Sequence, residues 1–416
     1  MKVLINMLRK VFGARGHLAT ATICISLGIA SVMIMVNSIT EYIRPVSPES
    51  NVERIMCSHR WVSKDKKKDF RNMGGIPLSF AQAYLADLKT PEATSIFTDN
   101  TFPRISGTRT ETFKAISCDA SYWHIFDFQF VEGRPFTFDE FMGHAAVAVV
   151  SRSFFSQLSD MEKRLRRFAY MDKEYTIVGV VEDVRSQRIF TSAHVWIPYS
   201  ALYGSLDENV SAFKVVYLLK TKADRAKLLS EVKAVEDKYN STTSNPDLVS
   251  GLTPHTKLDV LIRGYSTEVD DNLERAFYSR WLAIAVVILL VPILNLIILN
   301  YTHIRNRYAE MGIRKSFGAT QHSISLLFLK ENTVVVLAGG VVGYTLSFLF
   351  GLVHHINLFD TERYTDMPID NVVHPSWLSF VVVLVICLLA SLLSGIFPSW
   401  KLARMSVNSA LKGGDQ

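Results

Sequence analysis

The chain has 416 residues, of which 49% are hydrophobic and only 20% charged, with 45 Lys and Arg against 39 Asp and Glu for a formal charge of +6. These averages exclude a chain of uniform globular composition, because they conceal several very apolar blocks around one ordinary globular block. Four cysteines and eleven histidines are scattered through it.

At the start, Val3, Leu4, Met7, Leu8, Val11 and Phe12 recur at helical spacing beside Arg9 and Lys10. This pattern predicts a cytoplasmic amphipathic N-terminal helix over residues 1–17 lying in the membrane interface, with a plain cytoplasmic extension as the alternative. Residues 18–43 follow as a first transmembrane helix. Their apolar run exceeds a signal-peptide core and leads into Glu41-Tyr42-Ile43-Arg44 without a convincing Ala-x-Ala cleavage signal, so it is expected to remain as an anchor.

Residues 44–280 form the globular block. Ala145 to Val150, Tyr175 to Val181 and Phe213 to Leu219 are rich in β-branched and aromatic residues and predict strands, while Pro77 to Leu88 and Ala223 to Tyr239 have helical periodicity. An α+β domain is expected. Cys57 and Cys118 both fall in it, where an oxidising compartment would permit a disulfide, making them a candidate pair.

A second transmembrane helix is expected over 281–303, a third over 323–353 and a fourth over 377–398, each long enough to cross ~30 Å of hydrocarbon. Between the second and third, the connector 304–322 concentrates Arg305, Arg307, Arg314 and Lys315, which retains it on the cytoplasmic side. Glu310 to Thr320 is predicted to be a short exposed helix ended by Gly318, with a solvated loop as the alternative. The short loop 354–376 then faces outward and the tail 399–416 inward, so both termini are cytoplasmic and the globular block is extracytoplasmic. The fold expected is an α-helical membrane protein with four transmembrane helices and a large α+β extracytoplasmic domain inserted between helices 1 and 2.

In the third span Gly339, Gly343, Ser347 and Gly351 recur at every fourth position, a stripe that lets another helix backbone approach closely. Packing within one four-helix set and packing between subunits are both compatible with it. No phosphate loop, His-Glu-x-x-His, Cys-x-x-Cys or Gly-x-Ser-x-Gly occurs, so no chemistry is expected of this chain. The adjacent His354 and His355 point about 100° apart on a helix, which argues against a metal site.

Taken together, these motifs resemble those of an FtsX/MacB-like ABC transporter permease, with a MacB-type periplasmic core domain and an FtsX-like permease domain. The connector residues Glu310, Gly312, Ile313, Arg314, Lys315, Gly318 and Ala319, then Phe328-Leu329-Lys330-Glu331, are similar to that family's signature. So are Ser121-Tyr122-Trp123, Glu132-Gly133-Arg134-Pro135-Phe136, Ile177 to Val184, Val195-Trp196-Ile197-Pro198, and the tail from Pro398 to Ala403 with Ala410-Leu411. The segment Ser153 to Tyr170 departs from the family pattern.

The resemblance implies a non-catalytic permease subunit in the cell inner membrane. Such a subunit couples ATP hydrolysis by a separate cytoplasmic ABC ATPase to motion of the periplasmic domain for export or extrusion, a mechanotransmission mode. The alternative is an FtsX-like transmembrane regulator of extracytoplasmic cell-wall hydrolases. Glu310, Gly312, Ile313, Arg314, Lys315 and Gly318 would contact the ATPase. ATP and Mg would be bound by that partner, with no cofactor or metal on this chain. A second permease chain (the same or a paralogue), the lipid bilayer and a periplasmic adaptor are the other implied partners, and nucleic acid is not among them.

Overall fold

The computed structural model describes residues 16–65, 71–106, 109–170, 173–203, 211–242, 247–263, 273–306, 317, 320–353 and 377–389. These divide into two units, an α+β unit within residues 41–274 and a helical unit drawn from the described residues on either side of it.

Helix α1 (Gly16–Ile43) opens the chain. The α+β unit then contributes β1 (Ile55–Ser58), β2 (Trp61–Asp65), β3 (Arg71–Gly74), β4 (Ile76–Pro77), β5 (Pro91–Ser106) and β6 (Arg109–Cys118). After the short helix α2 (Tyr122–Ile125) come β7 (Phe130–Gly133), α3 (Phe138–Met142), β8 (Val147–Ser151), α4 (Arg152–Gln157) and α5 (Asp160–Leu165). The unit closes with β9 (Arg167–Tyr170), β10 (Lys173–Val181), β11 (Val195–Pro198), β12 (Ser211–Leu219), α6 (Arg225–Thr242), β13 (Asp247–Ser250) and α7 (Lys257–Arg263).

One ten-stranded mixed sheet runs in the order β1-β12-β5-β6-β11-β8-β10-β7, with β4 on β12 and β9 on β10, and a separate small sheet runs β13-β2-β3. Alternation along each strand explains how the large sheet is covered. Ile55, Cys57, Phe97, Ile116, Cys118, Val147, Val149, Trp196, Val216 and Leu218 share one buried cluster. Their neighbours in sequence point the other way. Phe113, Ala115, Ala148, Val150, Val195 and Ile197 enter a second cluster, and Met56, Ile96, Val215 and Tyr217 a third. Because both faces are buried, β8 as far as Val150 and β11 are continuous apolar runs instead of alternating.

The three predicted strands are present as β8, β10 and β12, and the predicted helix near 223–239 as α6. The stretch from Pro77 behaves differently. Pro77 pairs with Ser211 in β4, and the helix after it is α-type over Leu78–Phe80 and π-type over Ala81–Leu85. The β5–β6 hairpin is the largest element the sequence did not announce. It joins the sheet through Pro91 to Phe97 and Ala115 to Cys118, and beyond Asn100 it continues as a two-stranded arm to the Ser106–Arg109 pair.

Short helices are set by their caps. Thr137 accepts from Glu140 N while Glu140 accepts from Thr137 N, starting α3, and Ser159 with Glu162 repeats the arrangement at α5. The candidate disulfide is not formed, and both cysteines are free thiols. Cys57 lies on β1 and Cys118 on β6, with β12 and β5 between them. At about 4.8 Å per strand, their backbones stand roughly 14 Å apart, twice the reach of a disulfide. Shared burial in one cluster, not bonding, accounts for both.

One close approach fixes β7 against β10. Gly133 and Gly179 are directly paired, and Gly133 has φ +75°. A Cβ on Gly133 would stand 2.2 Å from Val178 O, and one on Gly179 2.4 Å from Arg134 O. Gly133→Val should therefore destabilise the chain by about 3 kcal/mol, whereas Met161→Ala, at an exposed position, should stay within about 0.5 kcal/mol. Urea unfolding of the full chain in detergent, followed by tryptophan fluorescence, measures both.

Candidate functional site

The helical unit contains α1 as far as Thr40, α8 (Leu273–Asn306) from Arg275 on, α9 (Gln321–Val353) and α10 (Trp377–Leu389). Two stretches, Thr22–Ile43 and Thr333–Gly351, are long and apolar enough to cross a membrane. Helix α8 contains the residues 281–303 expected as the second span, and its helical backbone extends back through the polar turns around Arg275 and Arg280 to Leu273.

The small-residue stripe of α9 packs inside this chain. A Cβ on Gly339 would lie 2.8 Å from Ile25 Cγ2 and 3.3 Å from Thr22 O, and one on Gly343 2.8 Å from Ser26 O and 3.0 Å from Ile29 Cβ. The glycines thus let α9 approach the main chain of α1, around a core of Ile25, Ile29, Val32, Met33, Val335 and Val336. Ser347 and Gly351 continue the same buried stripe. Gly340, outside the stripe, faces α10, and a Cβ there would lie 2.7 Å from Leu384 Cδ1. The sequence left open whether the stripe served one chain or two, and the structure places Gly339 and Gly343 against the chain's own first helix.

In the α+β unit the notable polar feature is a set of four charged residues withdrawn from solvent. Glu41 sits in the last turn of α1, and its side chain is 3% exposed. Arg188 lies in the segment joining β10 to β11. It donates through Nη2 to Glu41 Oε1 at 3.0 Å, and through Nη1 to the carbonyls of Glu41 (2.8 Å) and Arg44 (3.1 Å). These carbonyls are the acceptors a helix C-terminus leaves open, so Arg188 closes the end of α1. Arg185 adds a 3.1 Å bond to Glu41 from the rim.

Glu49, wholly buried, accepts from Phe190 N at 2.9 Å and Thr191 Oγ1 at 3.1 Å, and faces Lys257 Nζ of α7 at 2.5 Å. Burial pushes the Arg188 guanidinium below its ordinary value. It also drives the Lys257 ammonium down to about 8, against the attraction of Glu49. Two carboxylates and two cations balance, as buried charges must. Sequence reasoning missed all four. Glu41 at the edge of an apolar run was the one available signal, but its partner lies 147 residues away.

Other buried polar groups are structural. Asp119 accepts from Ser95 Oγ, Ile96 N and Tyr122 N, tying β5 to α2, and burial raises its carboxyl to about 6. At the surface, Arg134 grips Glu140 with two bonds of 2.8 and 2.7 Å, joining β7 to α3. Among the described residues no group of three or more His, Cys, Asp or Glu could hold a metal. The predicted coupling residues Glu310, Gly312, Ile313, Arg314, Lys315 and Gly318 lie outside the described residues.

Comparison with known proteins addresses both parts of the chain. The model of the MacB-like periplasmic core domain matches residues 18–235, and that of the FtsX-like permease C-terminal region matches residues 282–407. The chain is 25% identical over 236 residues to "Uncharacterized ABC transporter permease YknZ" of Bacillus subtilis, covering 55% of this chain and 54% of that protein. It is 26% identical over 273 residues to "Macrolide export ATP-binding/permease protein MacB 1" of Yersinia pestis bv. Antiqua, covering 60% of this chain and 38% of that protein. The chain therefore spans about half, or less, of the length of these curated relatives. Among solved structures, the periplasmic region of MacB from Actinobacillus actinomycetemcomitans aligns over 48% of this chain and 88% of its own, with TM-score 0.35 and 14% identity.

Two outcomes follow from the packing and the charges. In a Cys24→Ala background, an Ile25→Cys, Gly339→Cys pair should oxidise within one chain, and adding Gly343→Leu should slow that at least several-fold on denaturing gels. The second concerns Glu140, held at about 2 by the Arg134 hydrogen bonds against an ordinary 4.5. Its folded-state value is depressed, so its contribution to stability is present above pH 4.5 and lost as pH falls towards 2. Arg134 is 52% exposed, so the contribution stays below about 1 kcal/mol. The stability difference between the native chain and Glu140→Gln should shrink over that pH window in acid titrations.

Proposed function

The chain belongs to the family of permeases that join a MacB-like periplasmic core domain to an FtsX-like permease region, and on that premise we propose that it is the membrane subunit of an ABC exporter. In this reading four membrane helices carry the α+β unit on the periplasmic side of the cell inner membrane, between the first and second. A separate cytoplasmic ATPase binds and hydrolyses ATP with Mg, and the permease converts that work into motion of the periplasmic unit. The observation that carries the reading is the presence of both family regions, in order, on one chain.

A subunit that does no chemistry can use ATP only if the ATPase binds one of its conformations more tightly than the other. The connector helix predicted over Glu310 to Thr320 is the proposed contact, with Ile313 in an apolar cleft, Arg314 on acidic groups and Gly318 ending the helix. Glu310, Gly312 and Lys315 complete it. A second permease chain supplies the other half of the transporter, and a periplasmic adaptor receives the cargo.

The Ile313→Asp, Arg314→Glu double variant should insert and fold as the native chain does. It should weaken ATPase binding at least tenfold, about 1.4 kcal/mol, and abolish transport-linked turnover. Co-purification and ATPase assays in reconstituted membranes measure both effects, and native binding with native turnover would remove the connector from the contact.

A further inference from the structure

The buried quartet Glu41, Arg188, Glu49 and Lys257 is poorly explained by stability. Desolvating four charges offsets most of their mutual attraction, and apolar residues of equal volume in such places are often as stable or more so. Lys257 illustrates the point: its three donors face a single partner, Glu49, and no hydrogen bond to another group is formed among the described residues.

What a charged set supplies, and leucines do not, is direction. One planar guanidinium, on Arg188, meets at once the side-chain carboxylate and the main-chain carbonyl of Glu41 in the final turn of α1 and the carbonyl of Arg44 just past it. A fork of fixed geometry accepts only one register and one angle for that turn. Glu49, soon after α1, holds the far end of the same segment through Phe190 N and Thr191. Through its second oxygen it holds Lys257, at the start of the helix that precedes α8 in the chain. The segment receiving all these contacts is itself anchored. The Tyr122 hydroxyl donates to Phe190 O at 2.8 Å, His194 O accepts from Ser151 N, and His194 N donates to Lys114 O. It links β10 to β11 across β8, in the middle of the large sheet.

We infer that Glu41, Arg188, Glu49 and Lys257 are positioning residues forming a joint, through which displacement of the last turn of α1 and of α7 is delivered to the central sheet by the 185–194 segment. The inference rests on the coupling function proposed above. The joint's part in it is to keep the two entry points of the chain in fixed alignment with the sheet, so that movement is transmitted instead of absorbed.

The test uses the full chain in lipid nanodiscs with its four cysteines replaced by alanine and spin labels at Ile43→Cys and Asp160→Cys, both exposed. Pulsed EPR should give one narrow distance distribution for the parent. The volume-conserving Glu41→Leu, Arg188→Met pair should broaden it at least twofold while the melting temperature moves by only a few degrees. Arg188→Lys, which keeps the charge but loses the fork, should broaden it as well. Unchanged width in folded variants would overturn the joint, and so would failure of both variants to fold, which would assign the quartet to stability alone. With the partner ATPase added, the mean distance should stay constant on ATP addition in the parent, because the joint moves as one body, and should shift in the variants, where movement of the α1 end is absorbed; an ATP-driven shift in the parent would overturn the joint. No ATP-driven change in either the parent or the variants would count against the coupling function, while the width comparison would still decide the joint.

Discussion

Burial of the ten-stranded sheet on both faces is the constraint from which the α+β unit follows. A sheet wet on one side can place its charged residues there, but here odd and even positions of β8 and β11 are both inside. Polar groups that remain must be paired in place, and they are. Asp119 is used up by two backbone amides and a serine hydroxyl, and Glu49 by an amide, a hydroxyl and an ammonium. Connections are squeezed in the same way. At Gly133 and Gly179 the strand-to-loop backbones come so close that neither position has space for a side chain.

What could be read from the sequence follows the same physics. Strands β8, β10 and β12 were visible because a strand buried on both sides is a continuous β-branched run, and α6 because its polar face alternates with an apolar one at helical spacing. The hairpin β5–β6 was not, since its Thr-, Arg- and Pro-containing outer half is exempt from the sheet and carries no apolar period. The motif around Glu132 to Phe136 was legible as a resemblance, and its reason became visible only in three dimensions: Gly133 for the close approach, Arg134 for Glu140 and Phe136 for the core.

The two parts of the candidate site differ in legibility for a related reason. Gly339, Gly343, Ser347 and Gly351 form a local repeat, and a repeat on one helix declares that something lies against it without declaring what. Tertiary structure supplied α1. Arg188 and Lys257 had no local signature at all, because a lone basic residue in a loop or at a helix start ordinarily meets solvent. Only the burial of their carboxylate partners distinguishes them.

The order of those partners along the chain has a consequence for biogenesis. Glu41 and Glu49 are made first, and apart from Arg44 beside Glu41 the cations that accompany them into the interior, Arg188 and then Lys257, are encoded far downstream. Until almost the whole α+β unit has emerged, two acidic groups at the end of the first helix stay hydrated, so that end cannot settle into the interior on its own. Closure of so long a loop comes late in folding. A truncated or stalled chain therefore shows an open helix end with solvated carboxylates, a mark by which an unfinished molecule differs from a finished one.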